Sequence, residues 1–152
     1  MTGDAASSDR VPLTAADRTL LEEARTATLA TVGPDGQPRL VPICFVVDGD
    51  DAIWSPLDEK PKAVDDVHSL ARVRDVLARD AVVLLVQRWS EDWSELAWLR
   101  LVGTASLADT PPAAVIAALR ARYPQYASHD LEHRPALRII VDRAQGWSAT
   151  PA

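Results

Sequence analysis

The sequence predicts a mainly β fold in which six strands form a small Greek-key-like barrel with three short helices at its margins. Short runs rich in Val and Thr alternate with clusters of Gly, Pro and Asp, which is the pattern of short strands joined by turns. Residues 81–87 form an apolar run that is too short for a helix, and residues 96–107 form a longer strand pattern. A chain of 152 residues is long enough to bury a core of its own, so we expect one domain.

The domain is predicted to occupy residues 13–149, because residues 1–12 lack an apolar period and are typical of a disordered tail. A first helix begins at Thr14, whose hydroxyl can cap it, and extends to about Arg25. The carboxylate of Asp17 is favourable in its first turn.

Three strands are expected next, as an antiparallel meander over residues 27–32, 40–47 and 52–55. The first two are joined by a cluster of turn formers at residues 33–38. Pro42 lies inside the second strand and has no N–H for a central ladder. It therefore predicts a sheet edge, a bulge or a place where a ligand approaches the backbone.

The second half of the chain mixes helices and strands. A long polar connection at residues 56–69 is followed by a helix over residues 70–79, on which Val73 and Val76 share an apolar face. In the long strand, Gly103 predicts a bulge or a close backbone approach. The remaining predictions are a third helix capped by Thr110 and ending near Tyr123, a last strand over Ala136 to Val141, and Trp147 beyond that strand.

Composition narrows the classes of function. The net charge of −6 and the pI near 5.0 argue against a nucleic acid or a membrane surface as the main partner. Cys44 is the single cysteine, and we expect it to be a small buried side chain. The three histidines have no metal-ligand spacing, so no metal site is predicted. The N-terminus lacks the apolar core of a signal peptide, which favours a cytoplasmic protein.

The segment ATLATVGPDGQPRLVPICFVVDGDDAIW, residues 27–54, resembles the opening of the pyridoxamine 5′-phosphate oxidase-like proteins. The segments DEKPK, LARVR, EDW and GW further resemble an actinobacterial branch of that family whose members depend on the deazaflavin coenzyme F420. The resemblance covers roughly residues 14–149. It implies an FMN-binding split β-barrel and a homodimer with the cofactor in the groove between subunits.

A flavin-type cofactor needs positive charge and hydroxyls for its phosphate, and a flat apolar slot for its rings. Basic charge comes from the two lysines and from the start of the second helix, where the family's basic positions match Arg72 and Arg74. An insertion around residues 57–69 leaves open whether the lysines or the arginines hold the phosphate. The candidate cofactor-binding residues are Lys60, Lys62, Arg72, Arg74 and Ser55 for the phosphate, and Val41, Pro42, Ile43, Trp93 and Trp147 around the ring.

The resemblance implies an oxidoreductase that transfers a hydride from reduced F420 to a small conjugated acceptor. Because such a cofactor carries the reaction, no catalytic acid or base is assigned. Two alternatives stay open: an FMN-dependent oxidoreductase of the same fold, and a non-catalytic protein that binds a flavin or a tetrapyrrole.

Overall fold

The computed structural model describes residues 13–57 and 70–151. The predicted tail at residues 1–12 therefore lies outside the described residues. In chain order the helices and strands are α1 Ala15–Glu23, β1 Ala27–Val32, β2 Pro38–Ile43, β3 Val46–Val47, β4 Ile53–Pro56, α2 Ala71–Ala78, β5 Ala81–Arg88, β6 Ala97–Ala108, α3 Ala113–Arg122 and β7 Ala136–Ser148. Short 3₁₀ turns lie at Trp93–Glu95 and Pro124–Ser128.

One antiparallel sheet contains the seven strands of the described residues, in the order β2-β1-β5-β6-β7-β4-β3. Strands β2 and β3 follow each other in the chain, yet they stand at opposite ends of this order. Only Cys44 and Phe45 separate them, a distance of at most about 11 Å for an extended chain. The sheet must therefore curl until its two edges nearly meet, which gives the barrel-like shape and confirms the mainly β prediction.

The two residues that join β2 to β3, Cys44 and Phe45, show that two predictions are wrong. We predicted one strand over residues 40–47 and a meander of three strands, but the run divides into β2 and β3, which have different neighbours. The physical reason lies at Phe45, whose side chain is fully buried. Its N–H donates to the hydroxyl of Tyr123 (3.1 Å) instead of to a strand. The described part of the chain therefore has seven strands where six were expected.

The first helix begins as the sequence predicts. The hydroxyl of Thr14 accepts from the N–H of Asp17 (3.1 Å), and the Asp17 carboxylate accepts from the N–H of Thr14 (3.0 Å), which forms a capping box. The third helix differs, since it begins at Ala113 after Pro112 and no side chain caps it. The prediction that Thr110 caps this helix is wrong, because two successive prolines place the first turn beyond its reach.

Gly103 lies opposite a bulge in the neighbouring strand β7, whose extra residue is Asp142. The register of β6 against β7 shifts between Val102 and Gly103. A side chain at Gly103 would place its Cβ 2.5 Å from the carbonyl oxygen of Ile140, so the two backbones approach more closely than any other residue allows. Strand β7 continues to Ser148, beyond the predicted end at Val141, and Trp147 therefore belongs to the strand.

The interior of the curled sheet holds the main hydrophobic core. Its fully buried side chains include Leu29, Ile53, Leu84, Leu101 and Ile139. Helix α2 packs on this core through Val73 and Val76, as the apolar period of residues 70–79 predicts. In the described residues no helix is long and apolar enough to cross a membrane.

Candidate functional site

Three arginines converge on a small cavity beside helix α2, which we call the arginine notch. Arg39 comes from β2, whereas Arg74 and Arg79 come from α2 and its C-terminal end. The cavity has a volume of about 190 Å³, and Asp75 supplies the one carboxylate among its described lining residues. The guanidinium groups thus outnumber the carboxylate, in a protein whose overall charge is negative. Such a notch favours an anion with several oxygen atoms.

A buried pair holds Arg39 in position. The Oδ2 atom of Asp75 accepts from the hydroxyl of Thr31 at 2.8 Å and forms an ion pair with the Nε atom of Arg39 at 3.1 Å. Thr31 and Asp75 are each 2% exposed, so their contact is shielded from water. The guanidinium also lies against the backbone at Gly33, where a Cβ would come within 2.7 Å of it. A side chain at position 33 would therefore displace the guanidinium of Arg39 from this place.

The side chains of Arg72 and Arg74 do not line the same cavity. Two residues along a helix are about 200° apart around its axis, so the two side chains leave α2 on different sides. Arg74 is exposed and lines the arginine notch, while Arg72 is half-buried and is not among the residues of that cavity. Helix α2 begins after Leu70, and no side chain caps its N-terminus. The structure therefore separates the two arginines that the sequence placed together.

Strand β2 extends from Arg39, in the arginine notch, to residues 41–43, where the cofactor ring is predicted to lie. It is an end strand of the sheet and pairs with β1, which confirms the prediction that Pro42 occupies an edge. Pro42 is exposed, Val41 is half-buried and Ile43 is buried. At about 3.3 Å per residue, Pro42 lies about 10 Å along the strand from Arg39. Because the two positions are three residues apart, their side chains leave opposite faces of the strand, and a ligand that contacts both has to pass around this sheet edge.

The two candidate tryptophans lie on the far side of the sheet from β2. Trp147 is 47% exposed, stands opposite Trp98, and lines a cavity of about 550 Å³ between α1 and the end of the β6–β7 pair. Trp93 is 70% exposed and lies in the turn just before β6. Strands β1, β5 and β6 separate β2 from β7, a path of about 19 Å along the surface of the sheet. The two predicted walls of the ring slot are therefore not neighbours in the sheet of one chain.

The other predicted phosphate ligands are placed less favourably. Ser55 lies on β4 and is 2% exposed. Lys60 and Lys62 lie outside the described residues. Cys44, which we expected to be buried, is half-buried at the crossing between β2 and β3.

The outer face of the sheet carries a continuous apolar surface, which we call the outer apolar face. Cross-strand pairs place side chains of β2, β1, β5 and β6 next to one another on it. Leu40 is 70% exposed and Leu85 is 38% exposed, although both belong to strands of the central sheet. The members of this face are Thr28, Ala30, Leu40, Pro42, Val83, Leu85, Arg100 and Val102, so one charged side chain, Arg100, borders the apolar ones. A contiguous apolar surface of this kind is typical of an interaction site.

Sequence reasoning identified Arg74 but missed the other residues that build the arginine notch. Arg39 stands three residues before Pro42, and this spacing was the available signal for it. Asp75 follows Arg74 directly in an apolar helix pattern, where a buried acid needs a cationic partner. Nothing local in the sequence links Asp75 to Thr31, which is 44 residues away.

A family model described as pyridoxamine 5′-phosphate oxidase matches residues 13–150 of the chain. The chain therefore belongs to the pyridoxamine 5′-phosphate oxidase-like family, and its curled sheet is the split β-barrel of that family. A comparison with curated proteins finds no significant match.

Solved structures share this fold. The conserved hypothetical protein Rv2991 from Mycobacterium tuberculosis superposes with a TM-score of 0.72 and 23% identity, over 93% of this chain and 88% of that one. A structure described as an F420 reductase gives a TM-score of 0.61 and 20% identity, over 89% and 98% of the two chains. HutZ from Vibrio cholerae, described as a heme storage protein, gives 0.61 and 15% identity, over 91% and 95%. These TM-scores demonstrate a common fold. Sequence identities this low do not indicate which ligand the chain binds.

Proposed function

We propose that this protein is an F420-dependent reductase, in which the bound cofactor delivers a hydride to a small conjugated acceptor. The observation that carries the proposal is the arginine notch at one end of an edge strand whose other end holds Pro42. A cofactor with an anionic group and a ring system, joined by a linker that passes around this sheet edge, matches this arrangement.

The arginine notch is the proposed phosphate site. Arg39 and Arg74 would donate to phosphate oxygens, with Arg39 already oriented by the buried Asp75 carboxylate. Preorganisation lowers the entropy lost on binding, since the guanidinium is fixed before the ligand arrives. Lys60 and Lys62 are proposed to add charge for the long anionic tail that distinguishes the deazaflavin from FMN.

The ring system is proposed to lie along the backbone of Val41, Pro42 and Ile43. An edge strand offers peptide groups that are not committed to a second neighbouring strand. The exposed pyrrolidine of Pro42 supplies an apolar surface beside them. The protein's part in the reaction is to bind, to orient and to exclude water from the reacting atoms.

The complete site is proposed to need two copies of the chain. Three strands separate the strand of Trp147 from the strand of Pro42, so the two residues are not neighbours in the sheet of one chain. Pairing of two chains through the outer apolar face would bring β2 of one subunit near the second half of its partner's sheet. We therefore propose a homodimer with the cofactor between the subunits.

Two other functions are compatible with the same fold. An FMN-dependent oxidoreductase would use the same notch and edge strand, so the cofactor preference has to be measured. The fold likeness to HutZ supports the alternative of a non-catalytic tetrapyrrole-binding protein. That alternative predicts tight binding of heme without reduction of any acceptor.

The proposal is tested by fluorescence titration of the purified protein with F420 and, separately, with FMN. We expect tighter binding of F420, and a loss of about tenfold or more in F420 affinity for Arg74→Ala, because a charge-assisted contact to the phosphate is removed. A Lys60→Ala/Lys62→Ala double variant is expected to lose F420 affinity while its FMN affinity changes little. An Arg72→Ala variant measures whether the second face of α2 takes part.

Arg18→Ala serves as the matched control, because Arg18 is an arginine that pairs with Asp51 at a different cavity. Tighter binding of FMN than of F420 would move the assignment to the FMN-dependent alternative. Unchanged affinity of the Arg74→Ala variant for both cofactors would contradict the proposed phosphate site.

A further inference from the structure

A second recess with positive charge lies at the other end of β2, beyond the proposed ring position. It begins where the chain leaves Ile43 and is bounded by the segment before β1 and by the turn after α3. Its volume is about 410 Å³, which is in the range of small-molecule sites. None of its lining residues belongs to the arginine notch or to the outer apolar face.

The walls of this recess are aromatic. The rings of Tyr126 and His129 are perpendicular, with their centroids 5.6 Å apart, and Tyr123 meets Tyr126 in the same edge-to-face manner. The hydroxyl of Tyr123 is fixed by the N–H of Phe45 and by the carbonyl oxygen of Arg25 (2.9 Å). The walls are therefore held in place before a ligand arrives. Tyr123 and Tyr126 are themselves buried, so His129 is the aromatic ring that is most accessible from the recess.

Arg25 places a fixed positive charge at the mouth of the recess. Its guanidinium stacks over the ring of Tyr123 at 4.9 Å, and its Nη2 atom donates to the carbonyl oxygen of Arg122 at 2.7 Å. An arginine has five N–H donors, so most of them remain for a ligand. Among the residues that the structure describes, no carboxylate lines the recess or forms an ion pair with Arg25.

His129 adds a polar group whose tautomer is set by a neighbour. Its Nδ1 atom lies 2.8 Å from the carbonyl oxygen of Gln125. A carbonyl oxygen accepts hydrogen bonds and does not donate them, so Nδ1 carries the proton. The Nε2 atom is thereby left to accept a proton or a hydrogen bond.

We propose that this recess binds a planar aromatic carboxylate, with the carboxylate at Arg25 and the ring against the aromatic walls. A carboxylate satisfies the fork of the guanidinium, and an aromatic ring attached to it can pack against His129 in the same recess. The proposal is independent of the cofactor assignment, because the recess is built by one chain and by residues that the cofactor site does not use.

The test is isothermal titration calorimetry of the full chain, without cofactor, using 2-naphthoate and the uncharged analogue 2-naphthamide. We expect saturable binding of 2-naphthoate and binding of 2-naphthamide that is about tenfold weaker or more. Arg25→Gln is expected to reduce the 2-naphthoate affinity by about tenfold or more and to leave the 2-naphthamide affinity unchanged. Thr26→Trp, at an exposed position of the recess wall, is expected to block both ligands by filling the space.

Two arginine variants serve as controls. Arg18→Gln and Arg74→Gln, which change arginines of other cavities, are expected to keep the wild-type affinity for 2-naphthoate. Circular dichroism establishes that each variant is folded, and Thr26→Trp decides the question if Arg25→Gln does not fold. The proposal is overturned if 2-naphthoate shows no saturable binding, if the folded Arg25→Gln or Thr26→Trp variant binds it as tightly as the wild type, or if Arg74→Gln abolishes the binding.

Discussion

At the scale of single residues, the buried contact between Thr31 and Asp75 determines how the arginine notch is built. A buried carboxylate is costly unless donors satisfy it. Here one oxygen of Asp75 receives both the hydroxyl of Thr31 and the guanidinium of Arg39. The contact thus links β1, β2 and α2 at one point and orients the arginine that faces the notch.

A Thr31→Val variant tests this role. Valine keeps the shape of threonine but leaves Asp75 without one of its donors, so we expect the free energy of unfolding to fall by about 1–2 kcal/mol. Urea denaturation followed by circular dichroism measures the change. The matched control is Thr28→Val, the same substitution on the opposite face of β1, for which a change within about 0.5 kcal/mol is expected. Equal stabilities of the two variants would contradict the structural role of the buried contact.

The turn before β4 also contains a carboxylate whose charge is stabilised by hydrogen bonds. The carboxylate of Asp48 accepts from the indole N–H of Trp54 (2.9 Å) and from the N–H groups of Ala52 and Asp50 (2.9 Å each). Burial opposes its ionisation, but these hydrogen bonds outweigh burial and hold the pKa of Asp48 below its ordinary value. Their contribution to stability is therefore complete near neutral pH and is lost as the pH falls through that lowered pKa.

At the scale of elements, the bulge where β6 meets β7 shows how one glycine shapes the sheet. The extra residue, Asp142, lets β7 bend while it stays paired with β6 on both sides of the shift. Because a Cβ at Gly103 would lie 2.5 Å from the carbonyl oxygen of Ile140, backbone has to move to accept any side chain there.

We expect Gly103→Ala to lower the free energy of unfolding by about 2 kcal/mol or more, since the overlap is with backbone and a rotamer change cannot relieve it. Thermal and urea denaturation measure the loss. Gly49→Ala is the control, because a Cβ there meets no atom within 4 Å, and its effect is expected to stay within about 0.5 kcal/mol. A Gly103→Ala variant as stable as the Gly49→Ala variant would show that the two strands separate easily at the bulge.

At the scale of the whole molecule, the outer apolar face is the surface that a homodimer would cover. Pairing of two copies would bury Leu40 and Leu85, and it would join the two halves of the proposed cofactor slot. A stable interface requires roughly 1,200–2,000 Å² of buried surface, so a dimer would cover the outer apolar face together with the surface around it.

Leu85→Lys is expected to prevent this association, because dimer formation would bury a lysine with no partner for its charge. Size-exclusion chromatography with light scattering should give the 16.5 kDa mass of one chain for the variant and twice that mass for the wild type. Leu77→Lys is the control: Leu77 is 58% exposed on α2, away from the outer apolar face, and this variant is expected to remain dimeric. A dimeric Leu85→Lys variant would exclude the outer apolar face as the interface.

The sequence by itself determined the features that depend on near neighbours. The capping box of α1, the hairpin of β1 and β2, the edge position of Pro42 and the close backbone approach at Gly103 all follow from residue types at short spacing. Each is governed by local hydrogen bonds or by the conformational limits of Gly and Pro. For this reason the mainly β fold and most element boundaries could be predicted.

Tertiary structure alone decided the order of the strands and the composition of the site. The second strand run divides because Phe45 bonds to Tyr123, which is 78 residues further along the chain. The arginine notch forms because Asp75 of α2 accepts a hydrogen bond from Thr31 of β1. Arg74 lines this notch, whereas Arg72 does not. Contacts over such distances depend on how the sheet curls, since they satisfy polar groups that only the folded core buries.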